Sequence, residues 1–276
     1  MGSHSGLMLA LVWSVAASAS PIETLNAARI GDCRPESSRP SFKPVAALNA
    51  AARRLSRGEG LHAALTASNY RADQTTAMRF SGLRNEAELR SDLRSRFCGT
   101  LRNPRFTEAG AFSSGNELWL VIAAPFSPPS DAQRGVEAKQ VLALVNAARA
   151  HARRCGGEST GPASPLRANP ELNRAAQVHA DNMARFGELE HRGRDGSNPA
   201  QRAARAGYEH AALVGENIAG GAQTADEVVS GWLASPGHCA NLMNQNFVDM
   251  GIAFAVNPHS PLGIYWAQEL AKPLQR

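Results

Sequence analysis

The sequence predicts an α+β fold in which a small antiparallel sheet is flanked by helices, and it predicts two such α-β-α sandwich domains in tandem. Three observations lead to this expectation: helical spacing of apolar residues between Asn169 and Gly187, strand-like alternation from Val248 onwards, and an internal repeat. Helices and sheets that each have one apolar face bury those faces by packing in layers.

The helix between Asn169 and Gly187 has the clearest signals. Asn169 is a good N-cap, Pro170 fits the first helical position and Gly187 is a good stop. The apolar face should pack against a flat surface, and it consists of Leu172, Ala176, His179, Met183 and Phe186. His179 is interpreted as a buried histidine with satisfied hydrogen bonds, since its counterpart in the first copy is Leu55.

Three shorter helices and two strands should follow. One helix begins after Asn198, the next has a capping box that contains Glu227, and Pro236 opens the last. The box accounts for Glu227 without any role in a functional site. Two strands come next, where apolar residues alternate with small or polar ones over 248–256 and 262–266.

The internal repeat sets the domain boundaries. Residues 25–29 (Leu-Asn-Ala-Ala-Arg) and Cys33 recur as residues 145–149 (Val-Asn-Ala-Ala-Arg) and Cys155. The matches continue in the same order, pairing 47–53 with 171–177, 98–110 with 239–251 and Trp119 with Trp266. We therefore expect domains over 24–124 and 136–276, joined by a proline-rich linker over 125–135.

Each copy has one early and one late cysteine. Four cysteines allow three pairings, but equivalent positions in a repeated fold predict the disulfides Cys33–Cys98 and Cys155–Cys239. Each bridge would contribute ~4 kcal/mol in the chain-entropy model, because it closes a long loop. A four-thiolate zinc site is the weaker alternative, because the chain has no Cys-x-x-Cys pair.

The N-terminus predicts export. Residues 6–19 form an apolar run that ends in Ala-Ser-Ala, which is typical of a signal peptide over residues 1–19. The run is short for a membrane span and Pro21 follows it, so cleavage is favoured over a retained anchor. We expect an extracellular or periplasmic protein with no transmembrane segment in its mature chain, where disulfides are stable.

The charge pattern argues against nucleic-acid binding. The chain has 29 basic and 24 acidic residues, a net charge of +5. The basic residues are scattered among acids instead of forming a stripe with interleaved aromatics, so no nucleic-acid partner is predicted. Solvated helix faces account for most of them, and a mild attraction to anionic surfaces stays open.

Two motifs near the C-terminus carry the strongest functional signal. Residues 215–219 read Gly-Glu-Asn-Ile-Ala, and residues 231–242 read Gly-Trp-Leu-Ala-Ser-Pro-Gly-His-Cys-Ala-Asn-Leu. With Glu190-His191 and Gly207-Tyr208 upstream, they closely resemble the bacterial, SCP-like branch of the CAP superfamily, which includes cysteine-rich secretory proteins, antigen 5 and pathogenesis-related proteins. The resemblance implies a CAP-like α-β-α sandwich over 136–276.

The resemblance also implies a cleft lined by two histidines and two acidic residues. Carried over residue by residue, it places His191, Glu216 and His238 in this cleft, with Ser235 where the second acid would stand. These groups have the residue types to bind a divalent cation such as zinc. An equally weighted alternative is a hydrogen-bonded network in which Glu216 fixes a histidine tautomer.

The first copy lacks the polar residues of this cleft. It has no Gly-Glu-Asn motif, Phe97 takes the position of His238, and His62 is only a loose counterpart of His191. We interpret residues 24–124 as a degenerate CAP-like unit that keeps its core and its disulfide. Structural support or a separate partner surface would be its remaining role.

Two classes of function fit the sequence. The favoured one, implied by the resemblance, is a secreted binding module for a small apolar, lipid or sterol ligand or for a partner protein. The alternative is a secreted protease- or esterase-like hydrolase with Ser235 as nucleophile, His238 as base and Glu216 as orienting acid. It is less favoured because Ser235 is also a good N-cap for the helix that Pro236 opens.

Overall fold

A computed structural model describes residues 19–33 and 40–274 of the chain. The chain divides into two units, Met1–Phe126 and Ser127–Arg276. The predicted signal peptide lies outside the described residues, apart from Ala19. Within the described ranges, every helix is too short or too polar to cross a bilayer.

The first unit places helices against a four-stranded sheet. Its elements are α1 (Pro21–Ala27) with a π-helical turn (Ala28–Asp32), β1 (Lys43–Pro44), α2 (Ala46–Leu55), α3 (Leu61–Ala67), β2 (Ala72–Ser81), α4 (Glu86–Leu101), β3 (Glu108–Ser114) and β4 (Glu117–Pro125). The strand order is β1-β3-β4-β2, in which only β1 and β3 are parallel. Neighbouring β4 residues project to opposite faces, so Val121 and Ile122 enter two different apolar clusters.

The second unit repeats this arrangement. After a 3₁₀ turn (Asp131–Gln133) its elements are α5 (Arg134–Arg149), β5 (Arg153–Cys155), β6 (Glu158–Thr160), β7 (Arg167–Ala168), α6 (Pro170–Phe186), α7 (Pro199–Arg205), β8 (Ala211–Gly220), α8 (Ala225–Ala234), α9 (Pro236–Met243), β9 (Asp249–Val256) and β10 (Ile264–Pro273). The sheet order is β7-β9-β10-β8, again with one parallel pair, β7 and β9. Strands β5 and β6 form a separate hairpin. The predicted α+β class and tandem α-β-α sandwich are confirmed.

The repeated Asn-Ala-Ala-Arg segment makes the same hydrogen bonds in both units. The Asn26 amide donates to the backbone carbonyl of Phe42 and accepts from its N–H. Asn146 bonds Leu166 in the same two ways. Because Phe42 and Leu166 directly precede β1 and β7, each asparagine connects the first helix of its unit to the edge of the sheet.

The arginine of that segment is buried in both units. Arg29 donates to the carbonyl of Phe106 at 2.6 Å, and Arg149 donates to the carbonyl of Phe247 at 3.3 Å. Guanidinium groups have several donors and stay charged, so backbone carbonyls can satisfy them in the interior. The loop before the third strand is therefore held from inside in the same way in each unit.

The disulfides also occupy equivalent positions. Cys33 bonds Cys98 and Cys155 bonds Cys239, with Cα–Cα distances of 5.1 and 5.3 Å. This is the pairing expected from the repeat. All four cysteines lie in the described residues, and none is free.

Strand register corrects one of the predicted matches. Gly110 and Gly251 are matched positions of the repeat. Trp119 lies opposite the residue two positions after Gly110, and Ala267 lies opposite the residue two positions after Gly251. Trp119 is therefore equivalent to Ala267, and the predicted match with Trp266 was wrong by one residue. A slip of one residue reverses the face to which a side chain points, so the two indoles lie on opposite faces of their sheets.

Helix α6 begins and ends where predicted, but its buried face is narrower. The Asn169 side chain accepts from the N–H of Leu172, and Gly187 has the left-handed conformation, with φ of 70°. Phe186 was expected to be buried, yet it is 42% exposed. It lies in the last turn, beyond the reach of the sheet, and the guanidinium of Arg194 stacks on its ring.

A glycine in the third strand of each sheet allows the helix to approach closely. A Cβ atom at Gly110 would overlap the backbone of Leu48 in α2, and one at Gly251 would overlap the backbone of Leu172 in α6. Nothing lies within 4 Å of the corresponding position at Gly231 in α8.

We predict opposite effects for alanine at two of these glycines. Gly251→Ala should lower the free energy of unfolding by about 1–3 kcal/mol, because α6 must move to admit the methyl group. Gly231→Ala should raise it by about 0.5–1 kcal/mol, because it removes a glycine from a helix interior. Urea denaturation followed by circular dichroism measures both, and a neutral Gly251→Ala would contradict the close approach.

Candidate functional site

The centre of the site is a pair of glutamates on neighbouring strands. Glu216 on β8 lies directly opposite Glu269 on β10, and both side chains are buried. One residue further on, Asn217 lies opposite Gln268 on the other face of the sheet. The β8–β10 pair therefore carries two carboxyl groups on one face and two carboxamides on the other.

Arg202 of α7 compensates the charge of these glutamates. It donates to Glu216 Oε2 at 2.5 Å, and its Nε lies 3.7 Å from Glu269 Oε1. It also donates to the backbone carbonyls of Ser197 and His191 in the preceding loop. Burying a carboxylate is costly unless it is paired and hydrogen-bonded, and Arg202 meets both conditions while holding the loop.

The pKa values of the two carboxyl groups are shifted in opposite directions. Burial would raise the pKa of Glu216, but the hydrogen bond from His191 and the charges of His179 and Arg202 outweigh it and hold the pKa below its usual range. Burial and the charge of Glu216 raise the pKa of Glu269 well above its usual range. The surroundings therefore favour the ionised form of Glu216 and the protonated form of Glu269.

Glu216 fixes the orientation of His191. Its Oε1 lies 2.7 Å from His191 Nδ1, while the imidazole is 57% exposed. The other ring nitrogen, Nε2, is thus left to meet a ligand. The hydrogen bond to Glu216 raises the pKa of His191 against the opposing effect of burial.

His238 on α9 is half-buried, and its pKa is shifted in the opposite direction to that of His191. Burial lowers its pKa, and the charge of His191 lowers it further. Hydrogen bonds of a side-chain amide connect α9 to the sheet, since Asn241 donates to the backbone carbonyl of Glu216 and to the side chain of Asn217. The structure therefore brings His191, Glu216 and His238 into one region, and within the described residues it is His191 that hydrogen-bonds Glu216.

His179 is a third histidine of this region. It is buried, as predicted. Its Nε2 lies 3.6 Å from Glu216 Oε2, which is too long for a hydrogen bond. Burial lowers the pKa of His179, so a neutral ring packs beside the carboxylate.

The relay proposed from Ser235, His238 and Glu216 is not assembled. Glu216 gives one oxygen to His191 and the other to Arg202, which leaves none to orient His238. Ser235 occupies the N-cap position of α9 without a capping hydrogen bond from its side chain. In the part of the chain that the structure describes, no hydrogen bond joins Ser235 to His238.

The three-ligand metal site expected from His191, His238 and Glu216 is not assembled either. Across residues 19–33 and 40–274, no three His, Cys, Asp or Glu side chains are grouped so as to hold a metal ion. The reason is again the carboxylate, because both oxygens of Glu216 are engaged within the protein. The arrangement matches the alternative prediction, a hydrogen-bonded network that orients a histidine.

One hydrolase-like sequence pattern lies elsewhere. Residues 157–161 read Gly-Glu-Ser-Thr-Gly, which has the spelling of a Gly-x-Ser-x-Gly nucleophile motif. That motif needs a sharp strand-to-helix turn, whereas Ser159 is an exposed residue of the β5–β6 hairpin. The match to the motif is therefore coincidental.

The first unit has apolar residues at the equivalent positions of the carboxylate pair. Val121 and Glu269 lie opposite the two equivalent strand glycines, and Ala77 is the cross-strand partner of Val121 as Glu216 is of Glu269. Leu48 and Leu172 contact those glycines in the same way and are therefore equivalent. Leu55 follows Leu48 at the same distance along the chain as His179 follows Leu172, so Leu55 takes the place of His179.

Arg202 also has an apolar counterpart. The backbone N–H of Tyr70 and that of Tyr208 each donate a hydrogen bond to a carbonyl of the preceding helix. The residue directly before the accepting residue is Ala64 in the first unit and Arg202 in the second, so these two positions are equivalent. His62 lies exposed within α3 and is no counterpart of His191, which belongs to a loop between α6 and α7. The charged cluster is thus confined to the second unit.

The geometry and the comparisons with known proteins agree for this second unit. Residues 142–270 match the model of the cysteine-rich secretory protein family, CAP. The second unit belongs to the CAP superfamily. The uncharacterized protein YkwD of Bacillus subtilis (strain 168) is 28% identical over 131 residues, which is 48% of this chain and 45% of that protein. The chain thus matches less than half of the length of this relative.

Two solved structures are similar to the chain. One is Na-ASP-1, with a TM-score of 0.53 and 9% identity over 91% of this chain and 87% of that one. The other is an extracellular protein containing an SCP domain from Bacillus anthracis, with a TM-score of 0.43 and 16% identity over 62% and 69% of the two chains. At such identities the likeness to Na-ASP-1 concerns the fold alone, and it extends over most of both units.

Sequence reasoning missed Arg202 and Glu269. Arg202 stands in a short polar helix and was counted among scattered surface arginines, and Glu269 lies just beyond the predicted strand 262–266. The alternation of that strand gave no signal for Glu269, because extending it by two residues leads to Gln268, and Glu269 lies on the opposite face.

We predict that the two cleft histidines titrate on opposite sides of the ordinary imidazole pKa of about 6.5. NMR titration should give a higher value for His191 and a lower one for His238. Glu216→Gln should lower the pKa of His191, because the amide lacks the charge that stabilises the imidazolium. Glu227→Gln is the matched control, since Glu227 caps the N–H of Gln223. An unchanged His191 titration in Glu216→Gln would contradict the hydrogen bond.

Proposed function

We propose that the protein is an exported binding module, and that the polar group of a small lipid or sterol ligand is held by His191 and His238. The observation that carries this proposal is the hydrogen bond between His191 and Glu216. An exposed imidazole is held there by a carboxylate that Arg202 already neutralises. Such support suits a group that must present one nitrogen in a fixed direction.

The opposite pKa tendencies of the two histidines support recognition of a hydroxyl-like group. The raised pKa of His191 favours the protonated ring, which donates from Nε2, whereas the lowered pKa of His238 favours the neutral ring, which can accept. A hydroxyl group both accepts and donates a hydrogen bond. The hydroxyl of a sterol or a monoacylglycerol therefore fits the pair.

A cavity beside His191, whose lining does not include His238, offers room for the part of the ligand next to His191. Its volume is about 370 Å³, and it lies between the loop after α6 and the start of α7. Small-molecule pockets of proteins typically start at about 300 Å³. The lining includes Pro199 and Gln201, so the cavity combines apolar surface with hydrogen-bonding groups.

Export is proposed on two grounds. The N-terminal sequence has the pattern of a signal peptide, and both disulfides need an oxidising compartment to persist. We further propose that residues 24–124 are a degenerate copy of the CAP domain, because the strand order and buried contacts are equivalent while the four ionisable positions are apolar. Its role would be support or a partner surface.

We predict that cholesterol or monoolein binds the full chain and that His191→Ala or His238→Ala weakens binding at least tenfold, which corresponds to a loss of about 1.4 kcal/mol. Competition against a fluorescent sterol measures the affinity. His259→Ala is the control, because His259 is exposed in a loop of the same unit. Equal affinity of all variants would count against the cleft as the binding site.

The same samples address the hydrolase alternative. Incubation with ester and peptide libraries should yield no turnover that depends on Ser235, because Glu216 serves His191 and leaves His238 without an orienting acid. Turnover by the wild type that Ser235→Ala abolishes would replace the binding proposal with a hydrolase.

A further inference from the structure

A second cavity of about 310 Å³ lies in the same unit. It is formed by the outer side of α6, by the loop after it and by the end of α7. None of the residues lining it also lines the cavity at His191. The two cavities are separated by the loop that Arg202 holds.

The floor of this second cavity is apolar. Ala175 and Val178 of α6 and Ala206 at the end of α7 contribute to it. Val178 is 55% exposed, although α6 directs its other face into the core. A short hydrocarbon group in the cavity would cover this valine and remove its apolar surface from water.

Three arginines and one aspartate line the cavity. Each arginine is paired with a carboxylate, Arg174 with Glu171, Arg202 with Glu216 and Arg205 with Asp195. Arg174 also bonds the carbonyl of Ala206, yet the side chains of Arg174 and Arg205 are 58% and 61% exposed. A guanidinium has five N–H donors in a planar fork, so each can take a further carboxylate from the solvent side.

The wall of the cavity opposite these arginines is held in place by hydrogen bonds within the protein. Asp195 accepts from the N–H of Ser197, and Gly193 donates to the carbonyl of Ser197. Arg202, which is almost fully buried, binds that carbonyl from inside and also lines the cavity. A binding site that is formed before the ligand arrives loses less free energy to ordering.

We propose that this cavity binds a small amphipathic anion, with its carboxylate between Arg174 and Arg205 and a short apolar group on Val178 and Ala175. The site would give the CAP domain a second ligand position, separate from the histidine cleft. The proposal does not rest on the proposed function, because it uses none of the residues that line the cavity at His191.

The test compares butanoate with butanamide, which has a similar shape without the charge. Each is titrated into the ¹⁵N-labelled full chain, and backbone amide shifts are followed by NMR. Butanoate should cause saturable shifts centred on Val178, Asn182 and Ala206, with a Kd at least tenfold lower than that of butanamide. Equal affinities, the absence of saturable shifts, or shifts centred on His191 and Pro199 would overturn the proposal.

Two matched variants place the site. Val178→Asp sets a carboxylate in the cavity and should weaken butanoate binding at least tenfold. Val136→Asp makes the same change at a valine of α5 that is exposed and outside the cavity, and should leave it unchanged. Equal loss in both variants would refute the assignment. His191→Ala should leave butanoate binding intact, which separates a failure here from a failure of the histidine cleft.

Discussion

The buried ion pair between Arg202 and Glu216 is the constraint on which the site depends. A carboxylate in the interior of a sheet is tolerated only with compensating charge and hydrogen bonds, and Arg202 supplies both. The same guanidinium holds the loop that carries His191, through the carbonyls of Ser197 and His191 itself. Strand, helix and loop therefore meet at one side chain.

This network explains why Glu216 orients a histidine and does not act as a ligand or relay. One oxygen binds His191 and the other binds Arg202, while burial and the charge of Glu216 raise the pKa of the neighbouring Glu269. The carboxylate beneath the exposed imidazole is therefore paired within the protein. A site of this kind is suited to hydrogen bonding a ligand near neutral pH.

Comparison of the two units indicates that the charged cluster is not required by the fold. The first unit has Leu55, Ala64, Ala77 and Val121 at the four ionisable positions, and the indole of Trp119 joins the same apolar cluster where the second unit has Ala267. Buried ion pairs are often no more stabilising than a well-packed apolar replacement. The cluster of the CAP domain is therefore best explained by its function.

Much of the fold could be predicted because its signals are local or repeated. The cap at Asn169 and the stop at Gly187 follow from backbone chemistry, and the disulfide pairing follows from equivalent cysteine positions. The site was predicted only in part, because spacing along the chain does not reveal cross-strand register. The pairing of Glu216 with Glu269, the shift of Trp119 and the choice of His191 over His238 as partner of Glu216 all depend on that register or on tertiary contacts.

A double-mutant cycle measures directly how far Arg202 and Glu216 stabilise each other inside the protein. Unfolding free energies are compared for the wild type, Arg202→Met, Glu216→Leu and the double variant. Each single change should cost about 3–5 kcal/mol by leaving a buried charge unpaired, and the double variant should recover at least about 3 kcal/mol of the summed loss. If the two losses add to within about 0.5 kcal/mol, the residues are not coupled and the account is wrong.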